Sequence, residues 1–315
     1  MFFATDVHGS ETCFRKFLNA GKVYKANVLV LGGDLTGKTM IPLVEQPDGS
    51  FRGTYLGTER VAKGEELEQL ESLIRRTGSY SYRTNEKELE EMRSDKSRLD
   101  SVFAGLMKDR LKAWLTLAAE RLANTGIRMY LTGGNDDPLE FEDVLKGFRS
   151  DCVSDPEGEV VDIDGKHEMV SCGYTNVTPW KLPRDITEDE LKGRLDQVVS
   201  GVKDVSNCIF NLHCPPYDSG LDMAPQLDAD LRPKIEATAG GVKFIPVGST
   251  AVRKTIEQYQ PIASLHGHIH ESRGIRKIGR TVCINPGSEY GEAILKGALL
   301  TFHDNKLANY ILTEG

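Results

Sequence analysis

Five times along this chain an apolar run suited to a buried strand stops at a short cluster of aspartate, asparagine or histidine. Residues 1–5 lead into Asp6-Val7-His8, residues 27–31 into Gly32-Gly33-Asp34, and residues 127–132 into Gly133-Gly134-Asn135-Asp136-Asp137. Residues 207–212 lead into His213-Cys214-Pro215-Pro216, and residues 262–265 into His266-Gly267-His268-Ile269-His270. Between the first two strands lies a helical pattern at 12–20, with Phe14, Phe17 and Leu18 on one face. Strand, helix and strand in so short a span open a right-handed βαβ unit of a buried, largely parallel sheet. Open α/β sheets bind ligands in the crevice beyond the carboxyl ends of their strands. Clusters spread from residue 6 to residue 270 are therefore able to converge.

The donor types agree with one another. Neutral imidazole and carboxylate suit Mn²⁺, Fe or Zn²⁺. The set Asp6, His8, Asp34, Asn135, His213, His268 and His270 is too large for one ion but suits two that share a carboxylate. Two ions about 3.5–4 Å apart clamp the attacking and leaving oxygens of an in-line displacement at phosphorus. Each motif alone is weak evidence, since an HxH step is more often plain strand alternation. Five in order, each after an apolar run, are strong evidence.

Composition narrows the partners. With 39 Lys and Arg against 47 Asp and Glu the net charge is −8, which offers no footprint for duplex nucleic acid. Nucleotides as small substrates stay open, and so does a homo-oligomer. Six cysteines without a CxxC pair, in a chain of 315 residues, read as reduced thiols. There is no apolar run long enough to cross a membrane. A strand that starts at Met1 leaves no room for a signal peptide, so the expectation is a cytoplasmic protein without a membrane partner.

In order and wording the clusters resemble the calcineurin-like metallophosphoesterases, whose series runs DxH, GDxx, GN[HDC][DE], H and GHxH. The matching residues are Asp6-Val7-His8, Gly33-Asp34, Gly134-Asn135-Asp136-Asp137, His213 and Gly267-His268-Ile269-His270. The stretches His213-Cys214-Pro215-Pro216-Tyr217, Leu265-His266-Gly267-His268-Ile269-His270-Glu271-Ser272 and Asn285-Pro286-Gly287-Ser288-Glu289-Tyr290-Gly291 are most similar to the bacterial and archaeal Icc-related branch. The resemblance covers the chain apart from residues 40–100.

It implies a four-layer α/β/β/α sandwich. It further implies that Asp6, His8 and His270 hold one metal, that Asp34 bridges, and that Asn135, His213 and His268 complete the second site. Mn²⁺ is the first expectation for both, with Fe, Zn²⁺ or Ni²⁺ as alternatives. A hydroxide shared by the two ions, acidified by both, attacks phosphorus without a covalent phosphoenzyme. Asp34, Asn135, Asp136 and His213 form the catalytic group in this reading, and Asn135, Lys38 and His266 the substrate contacts.

Two positions depart from the family pattern. Many members carry His after the motif's asparagine, and this chain carries Asp136. An ionised carboxylate beside a phosphate repels it, so Asp136 either points away or is held protonated, and the leaving-group acid is left unassigned. The GDxVDRG arginine of protein Ser/Thr phosphatases is also missing, because Leu35-Thr36-Gly37-Lys38 follows Asp34. Residues 32–39 do spell GxxxxGK[ST], but a P-loop must open a helix, and Met40-Ile41-Pro42-Leu43 is a poor start for one. Lys38 stands at the pocket's edge or on the surface. His266, one step before the HxH pair, belongs behind the ligands or in the core rather than against substrate, though it stays among the substrate-contact candidates. His167 and His303 read as surface turn residues, Trp114 as core, and Asn285 and Ser288 as turn formers near the sheet's ligand end.

Residues 40–60, with Pro42, Pro47, Gly49, Gly53 and Gly57, read as turns, and 65–76 and 86–100 as charged helices. A better helix from Val102 carries Leu106, Leu111, Trp114, Leu115 and Leu122 on one stripe and stops near Gly126. Residues 40–100 are thus expected to be a helical and loop insertion within one domain spanning 1–315. It is either a solvated hairpin, a lid or an oligomer contact. Hydrolysis of phosphodiesters of nucleotide-like small molecules comes first among the functions weighed, and monoester hydrolysis second. A phosphoesterase-fold scaffold comes third, and the complete ligand set speaks against it.

Overall fold

Successive side chains of a strand point to opposite faces, and here both faces are apolar, so every central strand must be covered twice. The computed structural model describes residues 1–235 and 241–315. In strand Phe2–Ala4, Phe2 and Ala4 enter one core and Phe3 another. In Val28–Gly32, Leu29 and Leu31 join the first and Val28 and Val30 the second. The first sheet runs Lys306–Glu314, Lys296–His303, Phe2–Ala4, Val28–Gly32, Arg128–Thr132, Val153–Ser154, with the last four parallel. The second runs Gly274–Ile278, Thr281–Asn285, Ala263–Leu265, Ile209–Leu212, Glu168–Cys172, Val160–Asp162, parallel at its centre and antiparallel at both edges.

Phe3, Val30 and Tyr130 of the first sheet meet Met169, Ile209, Leu265 and Ile284 of the second in the core between them. Helices Glu11–Val23, Lys96–Leu122 and Phe141–Gly147 cover the outer face of the first sheet, where the rings of Phe14 and Trp114 stack 4.2 Å apart. Glu188–Val199 and Thr250–Tyr259 cover the second through Leu191, Leu195, Val252 and Ile256. The result is the four-layer α/β/β/α sandwich that the motif series implies. Thr187 and Glu190 close a capping box at the head of Glu188–Val199. All six cysteines are unpaired. Among the described residues no helix is long and apolar enough to cross a membrane.

Residues 40–100 differ from expectation. Met40–Glu45, Phe51–Tyr55, Thr58–Ala62 and Tyr80–Thr84 form a four-stranded sheet. Helix Glu65–Arg76 completes it, and Leu43, Tyr55, Ala62, Leu67, Leu70 and Ile74 make its own core. The turn residues are real, but they join strands. Pro42 lies outside the stretch of its strand that pairs with Phe51–Tyr55, so its missing N–H breaks no bond to that neighbour. The helix expected over 86–100 stops at Ser94 and restarts at Lys96, because the Asp95 side chain accepts from the N–H groups of Ser97 and Arg98. A strand, not a helix, follows Lys38, which removes the P-loop reading.

Candidate metal centre

The loops at the strand ends are bonded to one another before any ion is considered. Asp6 N–H donates to Gly33 O and His8 N–H to Asp34 O, both at 3.0 Å. From the opposite sheet, the His213 ring meets Gly32 O through Nδ1 at 2.9 Å, and His268 N–H reaches both Asp6 carboxylate oxygens at 3.1 Å. Asp6, His8, Asp34 and His268 all have φ between 39° and 66°. Non-glycine residues adopt that region rarely and at a cost, and such residues gather at functional sites. The approach is so close that a Cβ on Gly134 would stand 2.2 Å from Asp34 Oδ1.

Two donor groups result, and they meet at Asp34. Asp6, His8, Asp34 and His270 offer ligand atoms within 4.8 Å of one another, and so do Asp34, His213 and His268. In the first group His8 Nε2 lies 3.1 Å from His270 Nε2, His270 Nε2 lies 3.2 Å from Asp6 Oδ1, and His8 Nε2 lies 3.6 Å from Asp34 Oδ2. In the second, Asp34 Oδ1 is 3.4 Å from His213 Nε2, and Asn135 Oδ1 is 3.0 Å from His268 Nδ1. The two oxygens of one carboxylate thus face two different groups.

Hydrogen bonds from behind aim the donors inward. His213 Nδ1 bonds Gly32 O and His8 Nδ1 bonds Thr36 O, which leaves each Nε2 facing the centre. His213 Nε2 is buried without a hydrogen-bond partner, a costly state that a cation among these donors would relieve. Asn135 Nδ2 donates to Asp185 Oδ1 at 3.1 Å, so its amide oxygen is the atom turned inward.

Charge points the same way. Burial alone would raise the carboxyl pKa values. Instead His270 and His213 hold Asp6 well below the carboxylate range, and His213 and His8 do the same for Asp34. Burial pushes His8 down to about 3 and His268 down to about 4, which keeps both neutral. Burial would lower His213 too, but Asp34 and Asp6 outweigh it and carry it up to about 10. Without an ion, His213 and His270 carry the protons that balance the two carboxylates, a place that divalent cations of intermediate hardness would take among these donors.

The remaining expectations divide. Asp34, Asn135, Asp136, Lys38, His268 and His270 all line one crevice. Asp136 neither points away nor stands alone: it pairs with Lys38, while burial and Asp34 push its pKa up. Lys38 is accordingly at the crevice's edge, its side chain 47% exposed. His266 does not line the crevice. It is fully buried, with Nδ1 between Leu212 O (2.9 Å) and Cys214 O (3.0 Å), and so braces the ligand loops. His167 is not a surface residue either: it is buried, bonded to Asp164 Oδ2 at 2.8 Å and packed on Phe302.

Two carboxylates escape a sequence reading. Asp137 accepts from the N–H groups of Leu35, Thr36 and Gly134 and from the Thr36 hydroxyl, all within 2.9 Å, and so clamps the Asp34 loop to the Asn135 loop. Its place in the motif is visible in sequence, but its task is not. Asp185 carries no pattern at all. Asn285 and Ser288 do more than turn the chain: Asn285 Nδ2 donates to Ile269 O at 2.9 Å, and Ser288 Oγ to Asp6 O at 2.7 Å.

No family model matches the chain. Protein MJ1162 of Methanocaldococcus jannaschii, itself uncharacterized, is 35% identical over 155 residues, which are 49% of this chain and 61% of that protein. The chain therefore spans less than two thirds of the length of this curated relative. One crystal structure covers 99% of this chain and 97% of its own, with a TM-score of 0.57 and 14% identity. The structure of TT1561 of Thermus thermophilus covers 100% of this chain and 96% of its own, with a TM-score of 0.53 and 12% identity. At such identities the likeness concerns the fold alone, the α/β sandwich described above.

Proposed function

We propose that this chain is a binuclear metallophosphoesterase, of the Icc-related kind, that hydrolyses phosphodiesters of nucleotide-like small molecules. The observation that carries the reading is Asp34, whose Oδ2 faces His8 and whose Oδ1 faces His213. In this reading Asp6, His8, Asp34 and His270 hold one divalent ion, and Asp34, Asn135, His213 and His268 the other, with Mn²⁺ first and Fe, Zn²⁺ or Ni²⁺ as alternatives. Such a pair supplies charge for the attacking and leaving oxygens and a more acidic water.

The chain's own residues supply position and balance. Asn135, oriented by Asp185, and Lys38, held by Asp136, stand on the crevice side of the centre where a phosphoryl group would rest. Asp136 cancels the charge of Lys38, and that favours a singly charged diester over a doubly charged monoester. A carboxylate tied to a lysine is a poor proton donor, so esters with good leaving groups suit the site.

The test is a turnover panel with Mn²⁺ over aryl phosphodiesters, aryl monoesters, cyclic nucleotides and dinucleotides, alongside metal analysis. The reading expects diesters to lead and two ions per chain. Less than one ion per chain under saturating Mn²⁺, with no turnover on any ester, would leave the scaffold reading instead.

A further inference from the structure

Two segments that contribute no metal donor wall the crevice above Asp34. One is residues 176–182; the other is the hairpin built on Met223–Pro225 and Phe244–Pro246. The space between them is about 950 Å³, at the upper end for a small-molecule site. Its walls are apolar, with Pro179, Trp180, Pro225, Leu231, Ile245 and Val247 among them. Among the described lining residues Lys38 is the one ammonium or guanidinium, and Asp136 already neutralises it. Asp228 and Glu271 add negative charge to the lining. The cations of the same two segments, Lys181, Arg232, Lys234 and Lys243, are exposed and do not line the crevice.

The walls also stay uncovered. Trp180 is 58% exposed and Leu231 44%, and further along the hairpin Ile235 is 71% and Phe244 46% exposed. Trp180 and Leu231, which line the crevice, are large apolar side chains left open to solvent, and such groups mark a surface that receives a partner group. Trp180 is not on a loose loop. Asp185 Oδ2 accepts from Thr178 N–H at 2.9 Å and Leu182 N–H at 3.0 Å, while its Oδ1 holds Asn135. Wall and metal donor are tied through one carboxylate.

Resting on the phosphoesterase reading above, we propose that this crevice selects an ester with a single anionic phosphate and one large apolar substituent, seated between Trp180 and the hairpin. A second phosphate would meet Asp228 and Glu271 with no cation to balance it, and an unpaired charge in a partly desolvated crevice is expensive. Polyphosphates and oligonucleotides are therefore disfavoured. Aromatic rings and acyl chains both satisfy the chemistry, and the test separates them.

The test is calorimetric binding to the Mn²⁺-loaded chain of dimethyl, dibutyl and diphenyl phosphate and of symmetrical diphenyl diphosphate. Diphenyl phosphate is expected to bind about tenfold or more tightly than dimethyl phosphate. Dibutyl phosphate matching diphenyl phosphate indicates an aliphatic chain such as that of an acyl group; matching dimethyl phosphate, it indicates a ring. Trp180→Ala should remove most of the gain for diphenyl phosphate, and Trp180→Phe should keep most of it. Equal binding of dimethyl and diphenyl phosphate, or tighter binding of the diphosphate, overturns the proposal. Turnover of bis(4-nitrophenyl) phosphate, followed in parallel, tests the phosphoesterase reading separately. Selective binding without turnover spares the crevice and sinks the enzyme, and turnover without selectivity does the reverse.

Discussion

Two segments flank the candidate metal centre, and they are built in opposite ways. Residues 40–84 are charged and rich in turns, yet they form a sheet with its own core and are fused to the back of the ligand loops. Ser10 Oγ donates to Arg76 O at 2.6 Å, Gly37 N–H donates to Tyr80 Oη at 3.0 Å, and a Cβ on Gly78 would come within 2.1 Å of His8 O. The strands Met223–Pro225 and Phe244–Pro246 are short, and among the described residues between and on them Leu231, Ile235, Val242 and Phe244 stay open to solvent. Charge pattern alone suggests the reverse roles, with the insertion as a lid. Among the described residues none of 40–100 lines the crevice. A charged surface says only that a segment meets water. Apolar groups left uncovered are what mark a wall.

The largest expected effect sets the scale for both regions. Asp34→Asn removes the carboxylate common to both donor groups, so turnover should fall to roughly a thousandth or less. Metal analysis should show one ion or fewer, with an unchanged circular dichroism spectrum. Near-normal turnover with Mn²⁺ saturating would show that Asp34 bridges nothing.

The contrast itself is broken or kept by two replacements. Exchanging residues 45–98 for a Gly/Ser linker removes Ile74 and Tyr80 and the support behind His8, so the chain should lose its cooperative melting transition. A freely hinged lid would instead leave that transition intact. Exchanging residues 229–243 for a short Gly/Ser turn should shift the midpoint little and abolish the preference for apolar esters.

A smaller effect separates the two walls of the crevice. Asp185→Asn weakens the anchor of Asn135 and of the Thr178–Leu182 turn together, so Mn²⁺ affinity should drop about 10–100-fold in a calorimetric titration. Leu231→Ser, on the hairpin, should leave Mn²⁺ affinity unchanged. If both substitutions left it unchanged, the link between wall and centre would be absent.

The smallest effect concerns pH. Beside Gly173, whose N–H donates to Glu157 Oε2 at 2.8 Å, burial carries Glu157 up to about 7 and Asp155 up to about 6, against the pull of Arg184 on both. A carboxyl with a raised folded pKa keeps a proton that the unfolded chain has already released. Stability therefore falls as pH rises from the ordinary glutamate value of 4.5 towards 7, and levels off above that. Glu157→Gln should flatten much of this slope, read as melting midpoint against pH. An identical slope in the variant would place the titrating group elsewhere.

What the sequence by itself determines is whatever depends on neighbours a few residues apart. Alternation and apolar runs mark the strands that end at Asp6, Asp34, Asn135, His213 and His268. Helical spacing and the Thr187 cap mark Glu188–Val199, and the ordered motifs single out every donor that the two clusters contain. The tertiary structure decides whatever depends on a partner far along the chain. That His268 N–H grips the Asp6 carboxylate across 262 positions, or that Asp185 turns the Asn135 amide across 50, has no local signature. The strands of residues 40–62 read as turns for a related reason: their core closes only when Leu67, Leu70 and Ile74 fold over them. His167 looks like a surface turn residue in sequence and is buried in the fold, because the ring of Phe302 reaches it only through tertiary packing. The place of His266 behind the ligands is legible, whereas its partners, the carbonyls of Leu212 and Cys214, are not. A polar residue's task is set by what it is buried against, and burial belongs to the sandwich as a whole.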